Sequence, residues 1–332
     1  MYIKKPAKPE DIPRLEALLR RLPDEHPQRP LIEKDLAKQL RGWQGEKAVS
    51  YYLDFLPEKE YLIFHHLRLP SGKYHFQMDF LVLTTRFALI LECKNFFGTL
   101  VFDEPFNQLI RVVDDVEEGF QDPISQAKWH KRQLQQWLED HGFPALPIDF
   151  LVVISEPSTI IKAATHSPET KRHVVHAQAL LERMMRVTKR YQEDVLDDKT
   201  LRKLCKWLLK SHAPKHTNVL EKYHVSETEL LKGVQCPECG KLPMKRVHGG
   251  WECPFCHKKD KNAHLGALRD YFLLIDSSIT NKKFRDFVGC GSLDTTKRLL
   301  AELELPFLGD KKGRIYLKPK NLDKFLPSKK KS

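Results

Sequence analysis

The 332-residue sequence predicts an α/β core with strands flanked by helices, followed by a small metal-binding ribbon and a helical module. Three observations carry this. Phe80-Leu81-Val82-Leu83 and Phe87-Ala88-Leu89-Ile90-Leu91 are continuous apolar runs of strand length, separated only by Thr84-Thr85-Arg86. Segments of helical periodicity lie on both sides of them. Two Cys-x-x-Cys pairs follow in the last third of the chain.

Taken in order, residues 1–40 hold amphipathic helical stretches separated by a proline-bearing segment from Pro23 to Pro30, without a chemical motif. Gly42-Trp43-Gln44-Gly45-Glu46 then opens an apolar-periodic segment, Val49, Tyr52, Leu53 and Leu56, which predicts an amphipathic helix starting there. The two apolar runs come next as adjacent core strands. Asp79 stands just before the first, and Glu92-Cys93-Lys94 ends the second. A hairpin or near-hairpin connection puts Asp79 and Glu92 at the same end of neighbouring strands. The two-residue period puts Glu92 and Lys94 on one face and turns Cys93 away. Asp122-Pro123 reads as a helix start, Asp as N-cap and Pro at the first helical position, and the segment runs through Trp129, Gln133, Leu134 and Leu138. Gln126 and His130 are four apart and share a face of it. Phe150-Leu151-Val152-Val153-Ile154 is a further strand, and residues 160–235 are mostly helical, with Leu180, Leu181, Met184, Met185, Leu201, Leu204, Trp207 and Leu208 as packing faces.

The charged residues at the ends of these strands suit one chemistry. Phosphodiester cleavage needs carboxylates that jointly hold a divalent cation, plus a lysine that orients the attacking water and offsets phosphate charge. Asp79, Glu92 and Lys94 supply that set; strand-end charges that simply reach solvent are the alternative.

Gly42-x-x-Gly45-Glu46, Asp79, Glu92-x-Lys94 and Gln126 resemble, in order and spacing, the nuclease-related domain (NERD) family, a branch of the PD-(D/E)xK restriction-endonuclease-like superfamily. The resemblance spans roughly residues 40–160. It implies a restriction-endonuclease-like core, a mixed central sheet flanked by helices. It also implies that Glu46 helps bind metal from the first helix, that Asp79 and Glu92 are the main ligands for Mg²⁺ or Mn²⁺, that Lys94 is the catalytic lysine, and that Gln126 supports the site from the helix after the sheet.

Composition bounds the rest. No stretch approaches a membrane span, and Met1-Tyr2-Ile3-Lys4-Lys5-Pro6 lacks the apolar segment of a signal peptide, so the expected location is the cytoplasm. The formal charge of +12 is uneven: from Cys236 onward there are 21 Lys plus Arg against 11 Asp plus Glu, a net of +10. Such an excess suits a polyanionic partner.

Cys236-Pro237-Glu238-Cys239 and Cys253-Pro254-Phe255-Cys256, thirteen residues apart, give four soft ligands for a closed tetrahedral site, hence a structural Zn²⁺ with no position left for water. His257 and His264 lie nearby, but four thiolates saturate the metal. Beyond the ribbon, residues 264–275, 281–288 and 292–303 read as three helices, the last with Ser292 as N-cap, and residues 307–317 as two short strands around a basic turn. This pattern looks like a winged helix-turn-helix. Its third helix is expected to expose Thr295, Thr296, Lys297 and Arg298 toward a groove, with Lys311, Lys312 and Arg314 on the wing. A helical module that binds protein remains the other reading.

The expected division is therefore a helical extension at 1–40, a nuclease-like domain at 41–160, a helical connector at 161–234, a zinc ribbon at 235–260 and a winged-helix-like module at 263–326. The expected function is metal-dependent hydrolysis of DNA. A catalytically inactive DNA-binding adaptor and an RNA-processing nuclease are the alternatives.

Overall fold

The computed structural model describes residues 1–164, 168–310 and 313–325. The chain divides into two compact units, Met1–Lys8 with Lys38–His216, and Pro9–Ala37 with Thr217–Ser332. These bounds differ from the five-part division above. Residues 9–37 group with the C-terminal region rather than standing as an extension, and residues 161–216 belong to the first unit rather than to a connector.

The chain opens with strand β1 (Tyr2–Lys4), helix α1 (Asp11–Arg21) and helix α2 (Arg29–Leu53). The helix expected to begin at Gly42 therefore begins thirteen residues earlier, and both glycines lie inside it. In the first unit follow β2 (Leu62–Ser71), β3 (Tyr74–Leu83), β4 (Ala88–Lys94), β5 (Thr99–Asp103), β6 (Gln108–Val113), β7 (Val116–Gln121), α3 (Pro123–Asp140), β8 (Ile148–Ile154), β9 (Ile160–Ala163), α4 (Pro168–His173), β10 (Val174–His176), α5 (Leu180–Arg190) and α6 (Asp198–Ser211).

A six-stranded mixed sheet of order β1-β2-β3-β4-β8-β10 forms its centre. β3 and β4 are the antiparallel pair read from the sequence, and β4, β8 and β10 run parallel. One face buries Leu134 and Trp137 of α3 with Leu204 and Leu208 of α6; the other buries Val49 and Leu53 of α2 with Leu180 and Met184 of α5. Each such side chain fully removed from water contributes about 1.5–3 kcal/mol, so helices on both faces hold the sheet rigid beneath the site. A second sheet of order β7-β6-β5-β9 escapes the sequence reading altogether. Asp114 and Asp115, both at positive φ (49° and 61°), make the two-residue turn joining β6 to β7.

The second unit continues with α7 (Val219–Lys222), β11 (Lys245–Val247), β12 (Gly250–Glu252), β13 (Lys259–Asp260), α8 (His264–Leu274), β14 (Ser278–Thr280), α9 (Asn281–Val288), α10 (Leu293–Ala301), β15 (Phe307–Leu308) and β16 (Ile315–Leu317). Arg20 and Arg21 of α1 grip the two oxygens of Asp270 on α8 at 2.7 and 2.8 Å. Fully buried Arg21 also donates to the Gly233 carbonyl at 2.7 Å. That pairing, together with the buried cluster of Leu15, Leu18 and Leu22 with Val219, Tyr223 and Leu274, unites residues 9–37 with the C-terminal region.

The three C-terminal helices lie close to their expected places, and Ser292 caps α10 by accepting from the Thr295 amide. A strand the sequence reading lacked, β14, pairs with β16, giving the sheet order β14-β16-β15. Thr296 does not face outward: it is wholly buried, and its single hydroxyl hydrogen has three acceptors within reach, Asn281 Oδ1 and the carbonyls of Ser292 and Leu293. A buried hydroxyl that can donate to its own helix is satisfied away from water. Lys297 and Arg298 are exposed. Arg314 packs its guanidinium over the Phe307 ring, 4.1 Å from the centroid. Lys311 and Lys312 lie outside the described residues, as does the lysine run at 329–331.

Candidate active site

The antiparallel register of β3 and β4 pairs Phe80 with Leu91, which sets Asp79 and Glu92 opposite one another where the ladder ends. Asp79 Oδ2 accepts from the Cys93 amide at 2.8 Å, so the carboxylate closes the ladder itself. Lys94, two residues beyond Glu92 and on its face, donates to Glu92 Oε1 at 2.9 Å and to Gln126 Oε1 at 3.1 Å. Gln126 arrives there on the first turn of α3, whose start is fixed by Asp122 accepting from the Ile124 and Ser125 amides. One turn later His130 brings Nδ1 to 3.7 Å from Glu92 Oε2, too far for a hydrogen bond. Glu92 Oε2 is thus buried with no partner.

Glu46 enters from α2. That helix comes close because residue 45 is glycine: a Cβ there would lie 2.6 Å from Ser155 Oγ and 2.7 Å from Asn95 Cβ, the residues that follow β8 and β4. Glu46 is gripped by two neighbouring histidines, His65 Nε2 on Oε2 and His66 Nε2 on Oε1, both at 2.9 Å. Adjacent strand residues ordinarily point to opposite faces. Here His66 takes φ 48° in the middle of β2, and the two imidazoles stack with centroids 4.0 Å apart.

The disturbance spans both strands. Phe76 and Met78 of β3 pack on the α3 side, whereas Phe80 and Val82 pack on the α2 side, so the alternation slips by one across Asp79. His66 falls opposite Asp79, between the pairs His65 with Phe80 and Leu67 with Met78.

The electrostatics follow from this crowding. Burial, and then the Asp79 charge, push the Glu92 carboxyl up to about 8. Burial and the Glu46 charge raise Asp79. Burial also works to raise Glu46, but the hydrogen bonds from His65 and His66 outweigh it and hold that carboxyl below its ordinary value. For Lys94 burial works downward, yet the Glu92 carboxylate wins and the ammonium is held above its usual range. Burial, with the Lys94 charge, drops His130 to about 4, so its ring is neutral near pH 7. Mutually opposed carboxylates with an orphaned oxygen are a donor set that a divalent cation fits.

Residues 41–155 match the family model of the nuclease-related domain, NERD. The chain carries a nuclease-related domain. No curated protein and no solved structure matches the chain. Glu46, Asp79, Glu92, Lys94 and Gln126 all lie within the matched span and converge at one end of the central sheet. His65, His66 and His130 also reach this region of the nuclease-related domain, and only His130 had drawn notice, as a partner of Gln126 on one helix face. The His65-His66 pair carried a signal only as two adjacent histidines within an apolar run.

The cysteine cluster lies outside the nuclease-related domain. Cys236, Cys239, Cys253 and Cys256 gather their sulfurs within 4.8 Å of one another, with Cys236 to Cys256 at 3.6 Å and Cys239 to Cys253 at 3.5 Å. A tetrahedral zinc with bonds of about 2.3 Å has sulfur–sulfur edges of about 3.8 Å, so the cluster fits a small zinc ribbon. The two knuckles repeat one geometry. The amide after each second cysteine bonds back to the first, Gly240 to Cys236 and His257 to Cys253, and both residues take positive φ (71° and 57°). His257 is therefore a turn residue, and His264 is buried against Trp251 and Phe284; neither belongs to the cluster. No helix among the described residues is long and apolar enough to cross a membrane.

Proposed function

We propose that the protein is a metal-dependent nuclease that hydrolyses phosphodiester bonds in DNA. The observation that carries this reading is the meeting of Asp79, Glu92, Lys94 and Gln126 at one sheet end, around a buried carboxylate oxygen that lacks a partner. Asp79 and Glu92 are the ligands for Mg²⁺ or Mn²⁺. When bound, that ion supplies Lewis acidity toward the scissile phosphate and a water of lowered pKa.

The remaining chemistry belongs to the chain. Lys94, held above its usual pKa, stays protonated, so its part is to donate hydrogen bonds and neutralise developing charge rather than to take a proton. Gln126 fixes the Lys94 ammonium as a second acceptor alongside Glu92. Asp79 is aimed by the Cys93 amide, and neutral His130 screens Glu92 from solvent without adding charge.

In the second unit, the four cysteines hold a structural Zn²⁺. The order helix, strand, helix, helix, hairpin around α8, β14, α9, α10 and β15–β16 is read as a winged helix, with Lys297 and Arg298 on α10 meeting phosphates. The net charge of +10 beyond Cys236 supports a polyanionic partner there.

The test is purified protein incubated with supercoiled DNA, linear DNA, single-stranded DNA and RNA, each with Mg²⁺, with Mn²⁺ and with neither. Cleavage of a DNA form only when metal is present supports the reading. Cleavage confined to RNA replaces the substrate, and metal-bound protein that binds DNA without cutting any of the four replaces the enzyme with an adaptor.

A further inference from the structure

We infer that the cleft between α4 and α5 is an anion site for a ligand carrying neighbouring phosphate groups, either a nucleic-acid strand or a free polyphosphate. It holds a cavity of about 350 Å³, within the range of small-ligand sites and far larger than one water needs. Lys171, Arg172, Arg183, Arg186 and Arg190 all line it. Among the described lining residues Asp149 is the sole carboxylate.

The cations are gathered by the fold. Arg183, Arg186 and Arg190 follow the helical repeat along one face of α5. Arg183 Nη1 donates to the carbonyls of Lys171 and Arg172 at 2.7 and 2.6 Å, which ties the end of α4 to α5. Those bonds occupy Nη1 alone, and a guanidinium has three further N–H donors. Arg190 Nη1 is held by Asp149 Oδ2 at 2.5 Å, while Asp149 Oδ1 accepts from the Phe150 amide, so the one acid aims an arginine. Burial, and then the Arg186 charge, push the Arg183 guanidinium below its ordinary value. Like charges held together in this way favour an anion between them.

Four of the five cations are arginines, whose planar fork takes two phosphate oxygens at once. The cleft is also separate from the candidate active site. Asp149 pairs with Leu89 whereas Glu92 pairs with Val152, so roughly 10 Å of strand lies between the two carboxylates. All five cations follow the span that matches the nuclease-related domain.

A phosphate site here does not depend on cleavage at Glu92, and the test is run without Mg²⁺ or Mn²⁺ so that the two can fail separately. Zinc-loaded full-length protein is titrated with inorganic triphosphate by calorimetry and, in a second arm, with a fluorescein-labelled DNA strand followed by anisotropy. Lys171→Gln/Arg172→Gln/Arg186→Gln removes three exposed charges and should melt near wild type. It should bind at least about tenfold more weakly in one arm or both, the worth of one charge-assisted hydrogen bond. Should it melt lower, Arg186→Gln alone serves. Loss confined to the triphosphate arm identifies a free polyphosphate as the ligand. Loss in the DNA arm, with the salt slope lower by about one unit for each phosphate released, identifies a strand. Lys199→Gln/Arg202→Gln/Lys206→Gln on α6, which packs on the other face of the sheet, should stay within about twofold of wild type in both arms. Wild type that binds neither ligand, or a cleft variant that binds both like wild type, overturns the site. An equal loss in the α6 variant overturns it too, because diffuse charge then accounts for the binding.

Discussion

Gly42 and Gly45 sit three residues apart on the same helix, yet only one of them has a steric reason to be glycine. A Cβ at Gly42 meets nothing within 4 Å, while one at Gly45 strikes Ser155 and Asn95. Gly42→Ala should therefore stabilise the protein by about 0.5–1 kcal/mol, the helical gain of alanine over glycine. Gly45→Ala should destabilise it and push Glu46 away from the sheet, and thermal melts of the pair check both signs. Glu92 gives a second residue-level test. Its folded-state pKa of about 8 lies above its unfolded value, so the folded state holds the proton more tightly. The stability this contributes is complete at low pH and is lost as pH rises toward 8. In buffer free of Mg²⁺ and Mn²⁺, Glu92→Gln should be more stable than wild type at pH 9 by at least about 1 kcal/mol, with the difference vanishing at pH 4. A pH-independent difference between the two proteins contradicts this.

Among elements, those with local signals were legible in the sequence. The β3–β4 hairpin followed from two apolar runs and a short polar break, α3 from its Asp-Pro start, α10 from Ser292, and the ribbon from cysteine spacing. The kink in β2 was not, because a two-residue period assumes extended backbone and nothing in His65-His66 announces a positive φ. Nor was the second sheet, whose β7 is exposed along nearly its whole length and offers no apolar alternation. Thr296 was misplaced for a related reason: a hydroxyl counts as polar in a pattern even when its own helix satisfies it. At the ribbon, one equivalent of zinc is expected to copurify with wild type and to be lost in Cys253→Ser/Cys256→Ser. A closed thiolate site is coupled to local folding, so near-ultraviolet signals of adjacent Trp251 should change with it. Full zinc content in that variant contradicts the coordination.

For the whole molecule, the least legible feature was which distant segments fold together. Pairing α1 with α8 joins residues some 250 apart, as in Arg20 with Asp270, and no periodicity reports a contact across that distance. It also changes how the second unit can be probed. A cut near residue 234 removes Asp270 and leaves buried Arg21 with its charge uncompensated, so truncation damages the fold as well as the binding surface. Asp270→Asn should cost about 3–5 kcal/mol for the same reason, read by denaturant unfolding. Nucleic-acid affinity is better tested by Lys297→Glu/Arg298→Glu, which should weaken DNA binding and lower the salt slope by about one unit for each phosphate no longer neutralised. An unchanged slope moves the binding surface to the nuclease-related domain.

Whether Asp79, Glu92 and Lys94 constitute a working metal-dependent phosphodiesterase is decided by one assay. Wild type, Glu92→Gln and Lys94→Ala are compared on supercoiled plasmid with and without Mn²⁺. Wild type should nick the plasmid only when metal is present, and each folded variant should lose at least about a hundredfold in rate. Variants that cut at the wild-type rate, or cleavage by wild type that ignores the metal, contradict it.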